Sequence, residues 1–308
     1  MSIKFPAVID STIIKSWISC PRRCFHEHFE GLRVHHDTKS VDLVAGGAMA
    51  AGLEAARNAF YFKGASSETA IEEGQIALGI AYGADRPEEK KNLPRVRMAF
   101  EKYFERWPLA FEGGITPIED GVEKSFAVPL DDDLRNPETG EIILYAGRCD
   151  MVGSSSVDIS CFGFDEQNLG LFAVDEKTTG TINSMFFDKY DLDPQMIGYV
   201  WALRASGIEV DGIIVRGIGL TNRKVFDILQ DFKEIIVKPS PEIISDWFKM
   251  AKKIVSEMIV CYKDGQFSQN LGDACHNYMR QCNYKPICLH LKSIPDYVEE
   301  RWNPLERK

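Results

Sequence analysis

The apolar positions that organise this chain run from Ile142 to Lys177, where IILYAGRCDMVGSSSVDISCFGFDEQNLGLFAVDEK reads as two strands joined by a polar loop containing Gly and Asn. Each strand carries an acidic residue near its end. Other strand-like runs are GVEKSFAVPL before this hairpin and GIIVRGIGL and KVFDILQDF after it, the last two separated by a short turn at Thr221 and Asn222. Elsewhere the spacing is helical. From Ser11 to Leu32, Ile14, Trp17, Ile18, Phe25 and Phe29 predict a helix kinked at Pro21. From Val41 to Phe62, small residues with Met49, Leu53, Ala56 and Phe60 predict a helix packed closely on another. SSETAIEEGQIALGIAYG and PEEKKNLPRVRMAFEKYFERW add two more, the second interrupted by Pro94 and closed by Pro108. In DPQMIGYVWALRAS, Asp193 is a suitable N-cap and Pro194 fits the first helical position. A long helix carries Ile244, Trp247, Phe248, Ala251, Ile254, Val255 and Met258. The expected class is α/β, in one domain over 1–308: a helical part at 10–110, a mixed sheet with its helix at 115–238, and a C-terminal helix and tail at 240–295.

Candidate chemistry sits on the second strand of the hairpin. Strand side chains alternate faces, so Asp175 and Lys177 project together while Glu176 points away. If the first strand pairs alongside, Asp150 arrives as a second carboxylate, and two hard oxygen ligands beside open water positions suit Mg²⁺ or Mn²⁺. Phosphodiester hydrolysis requires that combination: carboxylates for a metal, a metal to activate water, and a further positive charge for the transition state. Strand-end turn residues and a solvated lysine would produce the same tripeptide. Four residues apart on the next helix, Gln195 and Tyr199 share a face near backbone N–H groups that favour a phosphate. The competing reading packs Tyr199 on the sheet and leaves Gln195 as a surface cap residue.

Composition adds limits. The 308 residues are 44% hydrophobic and 27% charged, an ordinary globular mixture with material for a large core. A formal net charge of −10 runs against a polyanionic partner, whose contacts would need a local basic groove. Arg22 with Arg23, the stretch from Lys90 to Arg97, Lys189, and Arg223 with Lys224 are the basic residues available, or else solvated faces. Lys, Pro, Asp and Ser interrupt the N-terminal segment before a signal or membrane span could form, so a cytosolic setting is expected. In a reducing compartment the eight cysteines suit metal ligation better than disulfides. Cys275, Cys282 and Cys288 fall at C-x6-C-x5-C, too wide for zinc-ribbon knuckles. Cys24 and Cys261 read as apolar filler, Cys149 as pointing into the core, and Cys161 as a loop residue. His26 and His28 read as facing solvent or covering the packing, and His276 and His290 as neighbours of the cysteines.

Taken in order, Gly147 and Asp150 as G-x-x-D, Asp175 to Lys177 as D-E-K, and Gln195 with Tyr199 as Q-x-x-x-Y resemble the PD-(D/E)XK nuclease superfamily. Within it the resemblance is to the RecB and AddB nuclease domains and the RecB-like exonucleases of CRISPR systems and phages, over nearly the whole length from Cys20 to Cys288. The resemblance implies a restriction-endonuclease-like core with an N-terminal helical annex and a C-terminal cysteine cluster. It implies a Mg²⁺- or Mn²⁺-dependent exonuclease acting on DNA ends or single strands, in recombination, repair or phage and CRISPR DNA processing. Asp150 and Asp175 would bind the metal, with the Glu176 carbonyl a further ligand. Lys177 would orient water or stabilise charge, and Gln195 and Tyr199 would position the lysine and the DNA backbone.

One departure concerns GGAMAAGLE, where relatives carry a metal-binding histidine at the position of Ala50; the following Glu54 would compensate by contacting the metal directly or through water, or else is a surface helix glutamate. The phrase SWISCPRRCFHEHFEGL resembles the iron–sulfur members, which implies that Cys20 joins Cys275, Cys282 and Cys288 around a [4Fe-4S] cluster. Zinc on the same four thiolates, or unligated thiols, are the alternatives. The implied partner is DNA, with a homo-oligomer or a recombination or replication protein as further company. A different implication is a DNA-binding protein that keeps the nuclease fold and cleaves weakly or not at all.

Overall fold

The structure is a computed structural model and describes residues 3–35, 40–155, 169–220, 225–276, 281–291 and 296–306. Cys161, the Thr221 and Asn222 turn, Arg223 and Lys224, and the polar loop of the Ile142–Lys177 hairpin lie outside the described residues.

In chain order the elements begin β1 (Val8–Ile9), α1 (Ser11–Ser19), α2 (Pro21–Cys24), β2 (Leu32–Val34), α3 (Val41–Arg57), α4 (Ser67–Tyr82) and α5 (Leu93–Arg106). They continue through β3 (Ile115–Pro129), β4 (Leu144–Ser155), β5 (Gly170–Thr179), α6 (Ser184–Asp188), α7 (Pro194–Ala205), β6 (Gly212–Gly219) and β7 (Phe232–Val237). Last come α8 (Pro241–Asp264), α9 (Lys285–Cys288) and β8 (Tyr297–Glu299). This is an α/β protein with a mixed sheet preceded by helices. Most helices start where the sequence supplies a cap: the side chains of Asp10, Ser40, Ser66, Asn92, Asp193 and Ser240 each accept a hydrogen bond from a first-turn backbone N–H. Left-handed Gly265, with φ 66°, ends α8.

Three expectations are corrected. The helix expected over Ser11 to Leu32 is not continuous: Cys20 is extended (φ −167°, ψ 116°) because Pro21 disfavours helical geometry in the residue before it. The chain then resumes as α2, relaxes into a π turn at Phe25–Phe29, and becomes β2. Pro94 does not interrupt α5 but lies in its first turn, since the charged residues before Asn92 stay outside the helix. KVFDILQDF is not a strand before Phe232. Asp227 Oδ1 accepts from the N–H groups of Leu229 and Gln230, and Asp231 Oδ2 from that of Asp227, so local side-chain bonds replace a ladder.

Packing divides the chain into two compact units. One comprises Met1–Asp37, Phe126–Gly147 and Ser240–Lys308. Within it β1 runs parallel to the start of β4 (Val8 opposite Leu144, Ile9 opposite Tyr145), β2 pairs antiparallel with β8, and α1 meets α8. Phe5, Phe25, Phe29 and Phe267 form an aromatic core there. His26 and His28, expected toward solvent or over the packing, are both buried, whereas Cys261 is only half-buried.

The other unit comprises Thr38–Ser125 and Arg148–Pro239. Here β4 pairs antiparallel with β5, β5 parallel with β6, and β6 antiparallel with β7. A parallel pair needs a crossover, and α7 lies in the connection between β5 and β6. Helices α3, α4 and α5 pack together, and a methyl added at Gly74 would sit 2.8 Å from the Gly52 carbonyl oxygen. The small residues of α3 therefore permit close helix contact, as the sequence suggests. Among the described residues no helix is long and apolar enough to cross a membrane.

Candidate active site

The site is built on β5 by alternation and register. Met151 stands opposite Val174, so Asp150 and Asp175 occupy the next position along the antiparallel pair. The Asp150 carboxylate accepts the Glu176 backbone N–H. Lys177 Nζ lies 2.7 Å from Asp175 Oδ2, and Gln195 Nε2 donates to Asp175 Oδ1 at 3.3 Å and to the Tyr199 hydroxyl at 3.0 Å. Asp193 holds the start of α7 by accepting the Gln195 N–H at 2.7 Å. Tyr199 is 1% exposed, so it packs inside as the competing reading held, yet its hydroxyl also joins this chain of polar contacts. Asp150, Asp175, Lys177, Gln195 and Tyr199 are thus brought together.

Burial shapes the charges. It pushes Asp150 and Asp175 above the usual carboxylate range; Glu176 and Asp175 push Asp150 further up, while Lys177 pulls Asp175 back. For Lys177 burial works against the charge, but Asp175, Tyr199 and Asp150 outweigh it and hold the ammonium on. Adjacent buried carboxylates that resist ionising alone form a donor set that a divalent cation would satisfy. The described residues contain no group of three or more Cys, His, Asp or Glu side chains placed to hold a metal ion. Two carboxylates and a main-chain carbonyl fit a cation such as Mg²⁺ that keeps several of its waters.

Glu54 is not hydrogen-bonded to this pair. Its charge instead acts on Glu123, which burial, then Glu54 and Glu176, raise to about 7 against the pull of Arg148, whose Nε lies 2.7 Å away. Glu123 has φ 51°, a left-handed conformation that few non-glycine residues adopt. Ala50 is half-buried, one turn from Gly46, at which an added methyl would lie 3.3 Å from the Thr178 hydroxyl of β5. Of the basic residues, Lys91 pairs with Asp42 and Arg23 with Glu27, while Lys189 lies 4.7 Å from the ring centres of Phe186 and Tyr190. Tyr190 is buried, and the charges of Lys177 and Asp175 both reach it. Phe186 and Phe187 cover Gly217, the residue paired with Lys177.

On the opposite face Glu176 enters a buried polar cluster that the sequence did not disclose. Glu176, Arg216 and Glu234 are cross-strand neighbours on β5, β6 and β7. Arg57 from α3 donates to Glu176 Oε1 at 2.6 Å and to Glu112 Oε1 at 2.7 Å. The Tyr103 hydroxyl donates to Glu176 Oε1 at 2.9 Å and accepts from Arg57 and Arg216, each at 2.8 Å. Arg216 also donates to Glu234 Oε2 at 2.9 Å and to the Glu112 carbonyl at 2.7 Å. Arg57, Arg216 and Glu112 are 0% exposed. Burial opposes the Glu176 charge, but Arg57 and Arg216 overcome it and hold this carboxyl down at about 2.

In the other unit Cys20, Cys275, Cys282 and Cys288 line one cavity of about 100 Å³ together with Arg23 and Lys285. The Cys20 thiol accepts the Asn270 N–H at 3.4 Å, and the Cys282 N–H donates to the Cys275 carbonyl at 3.0 Å. Burial raises Cys288, and the thiols of Cys282, Cys20 and Cys275 raise it further. The four cysteines thus share a cavity with two basic side chains, although they are not drawn close enough together to form a metal-binding group. Cys24 is buried with its thiol on the Ile13 carbonyl, and Cys149 is buried as expected. His276 Nε2 lies 2.7 Å from Lys285 Nζ, and His290 adopts φ 53°.

No protein-family model matches the sequence, and no curated protein sequence does. Among solved structures the chain is similar to a candidate exonuclease from Eubacterium rectale, at 12% identity and a TM-score of 0.46, covering 95% of this chain and 91% of that one. It is also similar to SSO0001, at 12% identity and a TM-score of 0.31, covering 82% of this chain and 98% of that one.

Proposed function

We propose that the protein is a metal-dependent deoxyribonuclease of the PD-(D/E)XK type that hydrolyses phosphodiester bonds at DNA ends or in single strands. The observation that carries this reading is the convergence of Asp150, Asp175 and Lys177 beside the Gln195–Tyr199 pair. Asp150 and Asp175 would hold a Mg²⁺ or Mn²⁺ ion, with the Glu176 carbonyl as a further donor. Such an ion, when bound, lowers the pKa of water and polarises a phosphoryl oxygen. Lys177 supplies an ammonium that orients water or offsets the negative charge developing on phosphate. Gln195 fixes Asp175 and Tyr199, and so holds the carboxylate to which Lys177 is paired.

The test is digestion of end-labelled single- and double-stranded DNA with Mg²⁺ or Mn²⁺, by the wild type and by Lys177→Ala. Wild-type cleavage that falls at least 100-fold in the variant is expected, roughly the loss seen when one transition-state donor is removed. Ala50 and the net charge of −10 favour a second reading, a DNA-binding protein that scarcely cleaves. Retention of DNA without any product would decide for it.

The four cysteines that share a cavity support a [4Fe-4S] cluster held by Cys20, Cys275, Cys282 and Cys288 as a structural tie within their unit. Anaerobic preparation followed by iron, sulfide and zinc analysis should return iron and sulfide. Zinc without iron would replace the cluster with a zinc site on the same residues.

A further inference from the structure

Glu176 is the residue between the two whose side chains define the proposed site, and nothing about a nuclease requires it to be charged. Its surroundings on β5 are apolar: Phe172 and Val174 precede it on the same face, with Met151 and Ile214 beside them. Apolar residues of similar volume in place of the whole cluster would stabilise the sheet about as well, because desolvating charges offsets most of their mutual attraction. The cluster is also costly to build locally. Glu112 is left-handed (φ 36°), an unfavourable conformation for a residue with a Cβ, and the following Gly113 (φ 70°) packs so closely that an added methyl would sit 2.8 Å from the Arg216 guanidinium. Strain of that kind persists where surrounding contacts impose it, and here it delivers the Glu112 carbonyl to Arg216.

Within a strand the side chain of one residue sets the orientation of its neighbours, since rotating residue 176 about the strand axis swings residues 175 and 177 the opposite way. Glu176 is gripped from three elements: Arg57 on α3, Tyr103 on α5 and, through the Tyr103 hydroxyl, Arg216 on β6. Its backbone N–H simultaneously reaches Asp150. Resting on the nuclease reading above, we propose that Arg57, Tyr103 and Arg216 are positioning residues: by clamping the Glu176 side chain on one face of β5 they aim Asp175 and Lys177 on the other and hold the N–H that fixes Asp150. None of the three needs to touch DNA or metal.

The experiment compares the wild type with Tyr103→Phe, Arg57→Lys and the control Leu53→Ala, a buried core residue of α3 outside the cluster. Tyr103→Phe keeps the ring packing and serves if Arg57→Lys does not fold. Two quantities are read on folded protein: the dissociation constant for Mn²⁺ by electron paramagnetic resonance, and the single-turnover cleavage rate with its dependence on DNA concentration. The clamp variants should bind Mn²⁺ at least threefold more weakly and cleave at least tenfold more slowly, with the DNA concentration for half-maximal rate unchanged. Leu53→Ala should lose thermal stability without moving either quantity. Clamp variants that match the wild type in both, while the wild type binds and cleaves, overturn the inference and leave the nuclease reading standing. A wild type that neither binds Mn²⁺ nor cleaves overturns both.

Discussion

Asp150 and Asp175 are held where ionisation is unfavourable, so their charges oppose folding of the metal-depleted chain. A carboxyl raised in the fold costs stability above its unfolded value, increasingly until the pH passes the folded one. In EDTA at neutral pH, Asp150→Asn should therefore melt above the wild type, by about 2–4 °C if it recovers roughly 1 kcal/mol. The same variant should lose DNA cleavage. A lower melting temperature would mean that the Glu176 N–H bond outweighs the buried charge. Glu123, raised to about 7 from an ordinary 4.5, gives a sharper test. Its contribution falls as pH rises from about 4.5 to about 7, on the order of 1–3 kcal/mol, and Glu123→Gln should flatten the melting temperature across that window. Glu176 behaves oppositely: held down at about 2, it stabilises above 4.5 and loses that contribution as pH falls toward 2. At this scale the sequence disclosed which residues share a face of β5. It did not disclose Glu123 or Tyr190, because nothing local to either one says what packs beside it.

Among the elements, β5 carries two functions on its two faces, and only one was legible. Alternation alone separates Asp175 and Lys177 from Glu176, but the cluster around Glu176 is assembled from α3, α5, β6 and the turn at Glu112, each distant in sequence. The row of Glu176, Arg216 and Glu234 requires the register of three strands, and register is a tertiary fact. A different limit explains the misplaced start of β7, where Asp227 and Asp231 supply local side-chain bonds that apolar content does not reveal. Gly113 tests the element-scale account. Gly113→Ala places a methyl against the Arg216 guanidinium in a left-handed conformation, and should cost about 1–3 kcal/mol by chemical denaturation. An unchanged midpoint would show that the turn shifts freely and does not hold Arg216. Cap signals fared better, since Asp193 and Pro194 fix the start of α7 by contacts within three residues.

For the whole molecule the amino-acid composition indicated an ordinary globular chain and little more. The net charge of −10 argued against a nucleic-acid partner, whereas the site reading depends on one lysine beside two aspartates. The shared site of Cys20 and the late cysteines was implied by resemblance and not by spacing, which only excluded zinc-ribbon knuckles; the four line one cavity. If the proposed cluster is present, Cys20→Ser and Cys282→Ser should each lower the melting temperature and the metal content together, measured as iron or zinc per chain. Loss of metal with an unchanged melting transition would remove the tie from the account.

The two units are interleaved along the chain: Phe126–Gly147 belongs with the two ends, and the boundaries near residues 125 and 147 fall within β3 and β4. During synthesis this imposes an order. Every residue of the unit carrying Asp150 and Asp175 has been made by Pro239, whereas Cys275, Cys282 and Cys288 emerge later, by several seconds at about 5–20 residues per second. On the ribosome the carboxylate site can thus close first while Cys20 waits without the three late cysteines; if they hold the proposed cluster, its loading would be the closing event of biogenesis, and shortage of iron would strand chains with one unit finished and the other open.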